Sequence, residues 1–375
     1  MKITYITNAR IPTEKAHGYQ ICKMCEQFSD QGLEVELLVP TRRNNIKDNV
    51  FSYYSLNKNF LVKHIKSIDF IRYNKFFFGK SAYFQNLFFL INLLFKKPAK
   101  ESLIYTRNPE IAWLFKKRGY QSFCEIHSWP NKDYLYKFFL KKIKIIVVTQ
   151  ALKDIFLENG FYDKNVLVEP DGVDLGVFDI DVSKEEARKK LDLPQDKKII
   201  GYTGSFKTME KDKGLKDIFQ TLSKTKKDIL FVAVGGSEKD IREYQKIADD
   251  LKVSNKVQLR KRVDLNKLAF YQKAFDVLLM NFPNEKHYIY YMSPLKMFEY
   301  MASKRPIIAS DLPAIKEVLS DENAYFVRPS NKDDLIRAID EAINDNKEKA
   351  KKAFLEVKKY SWGKRAKRII NFIKP

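Results

Sequence analysis

Four short apolar runs, at 199–202, 229–234, 277–280 and 307–309, are separated by stretches of helical periodicity, and they narrow the choice of fold more than any other feature. A strand that is apolar at nearly every position is buried on both faces, as in a parallel sheet with helices packed on each side. The N-terminal region has the same rhythm. Lys2-Ile3-Thr4-Tyr5-Ile6 reads as a strand, a polar loop leads to Gly18, residues 19–28 carry a helical pattern, and Gly32-Leu33-Glu34-Val35-Glu36-Leu37-Leu38-Val39 reads as a second strand. A chain of 375 residues, 45% of them hydrophobic, has the length and apolar content for two α/β domains, each with its own core. No internal repeat or low-complexity tract interrupts the alternation.

The most specific local pattern is Ser293-Pro294-Leu295-Lys296-Met297-Phe298-Glu299-Tyr300-Met301-Ala302, followed by Lys304-Arg305-Pro306-Ile307-Ile308-Ala309-Ser310-Asp311. It predicts a helix with Ser293 as cap and Pro294 as first helical residue, then a basic turn and a buried strand. A helix start exposes unpaired N–H groups and a partial positive charge, so a phosphate settles there readily. Glu299 falls about one and a half turns into the helix, placed to reach sugar hydroxyls beside such a phosphate.

This segment resembles the donor-binding helix of family 4 glycosyltransferases, and three further landmarks occur in the family's order. Gly201-Tyr202-Thr203-Gly204-Ser205-Phe206-Lys207 with Lys213-Gly214-Leu215 looks like the first strand, loop and helix of the family's second domain. Pro170-Asp171-Gly172-Val173-Asp174 matches the turn that enters it, and the N-terminal strand, loop and helix match the family's opening. The resemblance implies the GT-B fold, two Rossmann-like domains with parallel sheets facing across a cleft. The expected domains are 1–168 with the C-terminal helix 360–375, binding acceptor, and 169–359, binding the nucleotide-sugar donor. It further implies sugar transfer to a glycan or lipid-linked acceptor in cell-surface polysaccharide or glycolipid synthesis, retention of configuration, and no metal or other cofactor. Two positions depart from the pattern. Tyr291 stands where a second Glu is common, and Ser205 where many members have Arg.

Individual residues carry both functional and structural readings. Lys213, just ahead of a helix pattern, adds a point charge to a helix-end anion site and is assigned to donor binding and catalysis; Lys207, in the same charged loop, is assigned to the donor. Ser293 and Leu295 at the helix start and Glu299 complete the donor set, the last as a ribose ligand because carboxylate oxygens accept from a vicinal hydroxyl pair. Gly18 lets a backbone approach a ligand, and the resemblance places it against the donor phosphates. His127 ends a strand pattern, where ligands of open α/β sheets collect, and the resemblance places it against the transferred sugar as a catalytic residue. Arg107 also ends a strand pattern and is assigned with His17 to the acceptor, although a local salt bridge would equally explain it. Cys22 and Cys25 form a C-x-x-C spacing, but no second Cys or His pair accompanies them, and packed thiols are the expectation.

The formal net charge is +22, and residues 1–168 hold 27 Lys and Arg against 14 Asp and Glu. Within 51–100 nine basic residues interleave with aromatic ones around a single acid, Asp69. That pattern suits an anionic membrane surface, with segment 58–80 as the contact; the alternatives are core aromatics with solvating lysines, or a nucleic-acid groove, for which no motif speaks. The first residues read as a strand rather than a leader, and the longest apolar stretch, Leu87 to Phe95, falls short of a ~20-residue span. The expectation is a cytoplasmic protein, peripheral on the inner face of the plasma membrane. Two other functions fit the same residues: a nucleotide-sugar epimerase of the same fold, and a non-catalytic surface-binding protein, for which Tyr291 is the main argument.

Overall fold

A computed structural model of the chain describes residues 1–70, 80–130, 133–208, 210–225, 227–345 and 347–374. The chain divides into two compact units, Met1–Pro170 with Trp362–Pro375, and Asp171–Ser361.

The first unit is built on seven parallel strands in the order β3-β2-β1-β4-β5-β6-β7. They are β1 (Lys2–Ile6), β2 (Glu34–Pro40), β3 (Leu61–Ile65), β4 (Ser102–Thr106), β5 (Ser122–Ile126), β6 (Lys144–Val147) and β7 (Val166–Val168). β4 and β5 are buried at every position, as a sheet covered on both faces requires. The helix Ala16–Asp30 begins before Gly18, so this glycine lies inside the first turn rather than ahead of it. Cys22 and Cys25 are buried in that helix with free thiols. The helix Trp362–Ile373 buries Ile369, Ile370 and Ile373 on one face and packs on Ala16–Asp30.

The second unit has six parallel strands in the order β12-β11-β8-β13-β14-β15. These are β8 (Lys198–Thr203), β11 (Ile229–Gly236), β12 (Val257–Lys261), β13 (Val277–Met280), β14 (Ile307–Ser310) and β15 (Tyr325–Val327); a two-stranded antiparallel ribbon, β9 (Lys207–Thr208) and β10 (Lys211–Asp212), follows β8. All four apolar runs read from the sequence are central strands here. The chain proceeds from β8 outward to β11 and β12, then returns to the other side of β8 for β13, so the order reverses between β8 and β13. In an open α/β sheet the crevice beyond the carboxyl ends of the strands at such a reversal is where ligands bind.

Each unit therefore has the doubly wound parallel architecture expected from the sequence. Among the described residues no helix is long and apolar enough to cross a membrane.

Candidate functional site

The loops at the reversal are held by glycines with no room for a side chain. Gly204, at φ +120° just past β8, donates its N–H to the Val234 carbonyl 2.8 Å away. Gly214, at φ +91°, lies so close to the loop after β13 that a Cβ there would come within 2.0 Å of the Asn281 carbonyl oxygen. Between them, Lys213 reaches back, and its ammonium donates to Ser205 Oγ at 2.9 Å. Burial pushes the Lys213 pKa down to about 8. Its location at the carboxyl ends of the central strands follows from the glycine-closed turn, not from the charge of the loop around it.

The helix Leu295–Ala302 starts one residue later than the sequence reading has it. Pro294 is extended (φ −79°, ψ 127°) and takes the cap position, Leu295 is the first helical residue, and no side chain caps the start. Ser293 is therefore not the cap. A residue before proline is held extended, and its hydroxyl accepts instead from the Asp171 N–H at 2.9 Å, tying the helix start to the turn that opens this unit. The first N–H groups of the helix, Leu295 among them, have no partner within it.

Glu299 is buried, and burial raises its pKa to about 7, against a hydrogen bond from Gln272 Nε2 at 3.0 Å and the charge of Lys296. Lys207 sits on the ribbon with its ammonium 2.5 Å from the Glu243 carboxylate, so a structural ion pair occupies it. Tyr291 is buried, and its hydroxyl has no hydrogen-bond partner among the described residues. Asp179 of the only Asp-x-Asp in the sequence pairs with Lys304 at 2.5 Å. His287 has its pKa lowered by burial and then by the nearby Lys213 charge.

In the first unit the structure brings Arg107 and His127 together around Glu125, which the sequence analysis does not single out, and His17 lies near enough to both to be affected by their charges. The buried Glu125 carboxylate accepts from Arg107 Nη2 at 2.6 Å and the Tyr105 hydroxyl at 2.6 Å, and lies 2.7 Å from His127 Nε2 and 3.3 Å from Arg365 Nη2. Burial alone would raise its pKa, but Arg107, Arg365 and His127 outweigh it and hold the carboxyl well below the usual range. His17 is lowered to about 4 by burial and then by the Arg107, Lys15 and His127 charges, so its imidazole is neutral at pH 7. Arg107 also donates to Gln20 Oε1 at 3.0 Å, so it braces this cluster. At Gly18 the space for a Cβ is filled by the Tyr54 hydroxyl, 2.1 Å away, which is a packing reason for the glycine.

A charge inside an otherwise apolar buried strand, Glu125 within Ser122-Phe123-Cys124-Glu125-Ile126, was the available signal for this cluster. Lys296 was likewise visible in the sequence. A lysine in a first helical turn is ordinarily solvated, so nothing local sets it apart.

Two parallel α/β units of this order, with a glycine-closed loop and a helix start at the second unit's strand ends, define a GT-B fold. Residues 183–356 match the glycosyl transferases group 1 family, wholly within the second unit. Solved structures share the fold over nearly the whole chain. Sucrose-phosphate synthase from Thermosynechococcus elongatus superposes with a TM-score of 0.77 at 18% identity, covering 99% of this chain and 97% of its own. A glycosyltransferase from Rickettsia africae gives 0.74 at 16%, covering 100% and 98%. Anabaena HepE, solved with UDP, gives 0.73 at 15%, covering 99% of each chain. No curated protein sequence matches the chain. The glycosyltransferase resemblance read from the sequence thus stands on the family match and the fold, and together they support glycosyl transfer.

Proposed function

We propose that this protein transfers a sugar, with retention of configuration, from a nucleotide-sugar donor to a glycan or lipid-linked acceptor in cell-surface polysaccharide or glycolipid synthesis. The observation that carries the reading is Lys213, held by the Gly214 turn at the carboxyl ends of β8 and β13. The donor diphosphate takes its charge from Lys213 and from the uncapped helix start at Leu295, and Glu299 accepts from the ribose hydroxyls. In the transfer, the bond between the sugar C1 and the leaving phosphate oxygen breaks. The acceptor oxygen bonds to C1 on the same face, and the acceptor proton passes to the leaving phosphate. Stabilising that leaving charge is the main catalytic contribution, and it needs no metal. His127 contacts the transferred sugar, and the neutral His17 imidazole an acceptor hydroxyl.

An anionic membrane is the proposed platform for a lipid-linked acceptor. The helix Ser81–Leu94 exposes Tyr83, Phe84, Leu87, Ile91 and Leu94 at helical spacing, followed by Phe95 at 79% exposure and the exposed Lys96 and Lys97. Apolar side chains bordered by lysines suit an anionic lipid surface.

Incubation with labelled UDP-, GDP- and ADP-sugars, with and without acceptor lipid, tests the function; HepE, solved with UDP-glucose, makes the uridine donors the first choice. Release of nucleoside diphosphate with transfer of label, undiminished by excess chelator, is the expected result. A donor whose sugar is converted to its epimer without release would make the protein an epimerase. Binding without turnover would leave a non-catalytic protein.

A further inference from the structure

We infer that Lys296 is the second cation of the diphosphate site, an assignment that rests on the donor reading above and gives the site a charge that neither Ser205 nor Lys207 supplies. A diphosphate carries more charge than one lysine neutralises. The loop after β8 has Ser205 where a cation would be useful, and the Ser205 hydroxyl already accepts from Lys213. The Lys207 ammonium is held by Glu243 of the helix Glu238–Asp250.

Lys296 is in a different situation. It is the second residue of the helix Leu295–Ala302, only 8% exposed, and its Nζ has no hydrogen-bond partner among the described residues. Its stem carries the nitrogen to the loop after β8, so close to Gly204 that a Cβ there would lie 3.1 Å from Nζ. The neighbours of the nitrogen are ring faces, Tyr202 at 3.5 Å and Phe282 at 5.6 Å from their centroids. Lysines are almost never fully buried unless paired, and a buried polar group without a partner is costly. The ring faces offset part of that cost. They do not explain why an amine stands where a methionine of similar volume would pack without any polar penalty.

The placement supplies the reason. The amine stands at a helix start with unpaired N–H groups, near enough to Lys213 that the two charges oppose each other. An anion bound against that helix start resolves both problems, since each phosphate oxygen can accept from Lys213, Lys296 and the backbone together. Without ligand, burial and then the Lys213 charge hold the Lys296 amine well below the ordinary lysine pKa, against the opposing pull of the Glu299 carboxylate. A bound diphosphate raises it again.

Calorimetric titration of the full chain with inorganic pyrophosphate, and separately with UDP, GDP and ADP, decides the matter for wild type, Lys296→Met and Lys207→Met. Lys296→Met should weaken pyrophosphate about ten- to a hundredfold, the worth of one charge-assisted contact. Its ligand-free unfolding midpoint should equal or exceed that of wild type, because a buried amine has been removed. A structural lysine would give the opposite pair, unchanged affinity and a lower midpoint. Lys296→Arg keeps the charge and should retain more affinity than Lys296→Met, which separates charge from packing. Equal pyrophosphate affinity in wild type and Lys296→Met, or a larger loss at Lys207→Met, would overturn the assignment while leaving the donor reading in place. Pyrophosphate binding that depends on Lys296 while no nucleoside diphosphate binds would sustain the anion site and refute the donor reading.

Discussion

Glu299 shows how burial alone can set a pH dependence. Its pKa stands at about 7, raised by desolvation, so near neutrality it is divided between acid and carboxylate. Ribose hydroxyls donate to the carboxylate, so binding favours the deprotonated form, and its contribution is present above pH 7 and lost as pH falls through it. Glu299→Gln should therefore cost a nucleotide sugar about tenfold in affinity at pH 8 and little at pH 6, the difference between a charge-assisted and a neutral hydrogen bond. A 2′-deoxy donor should lose less on the same substitution, one hydroxyl contact being already absent. Equal losses at both pH values and for both ligands would remove Glu299 from the ribose. His17 gives a second residue-scale expectation. With its pKa at about 4, its ring proton should not titrate in NMR spectra between pH 6 and 8, and a transition near 6.5 would show that the imidazole is solvated.

At the scale of elements, the donor side depends on turns that admit only glycine. Gly214→Ala combines a positive φ with a Cβ 2.0 Å from the Asn281 carbonyl, so the loop after β8 must separate from the loop after β13. The expected result is a loss of nucleoside diphosphate affinity comparable to removing Lys213, with a lower unfolding midpoint, read by calorimetry and thermal melting. The central strands were legible because a buried parallel strand must be apolar almost throughout, and the run at 277–280 coincides with β13. The helix start was misplaced by one residue because Ser-Pro reads as a cap on local grounds, whereas Asp171, more than a hundred residues away, takes the serine hydroxyl. Glu125 and Lys296 are visible in the sequence but their roles are not, because each looks locally like a tolerated exception, a lone acid in a strand or a lysine on a helix. Their meaning comes from what surrounds them in space: Arg107 and Arg365 for Glu125, and Tyr202, Gly204 and Lys213 for Lys296.

For the whole molecule, the excess of positive charge and the exposed apolar face of Ser81–Leu94 bear on where the protein works. Of segment 58–80, expected as the membrane contact, residues 58–70 and 80 are described, and Lys58, Lys63 and Lys66 there are exposed. Lys63 pairs with Glu36, and residues 71–79, which include Arg72 and Lys75, lie outside the described residues. Phe89, counted among the aromatics of that region, belongs to the core. Changing Leu87, Ile91 and Leu94 together to Ser should leave the melting temperature near that of wild type, since all three are exposed, and should abolish sedimentation with anionic vesicles. Equal sedimentation of variant and wild type would make the acceptor a soluble one. The central claim is that a nucleoside diphosphate is held at the carboxyl ends of β8 and β13 by Lys213, and it is tested most directly by calorimetric titration of UDP, GDP and ADP into wild type and Lys213→Ala. The account predicts that wild type binds at least one of them and that Lys213→Ala binds it about ten- to a hundredfold more weakly with its fold intact. Equal affinity in the two proteins, or no binding of any diphosphate by wild type, would contradict it.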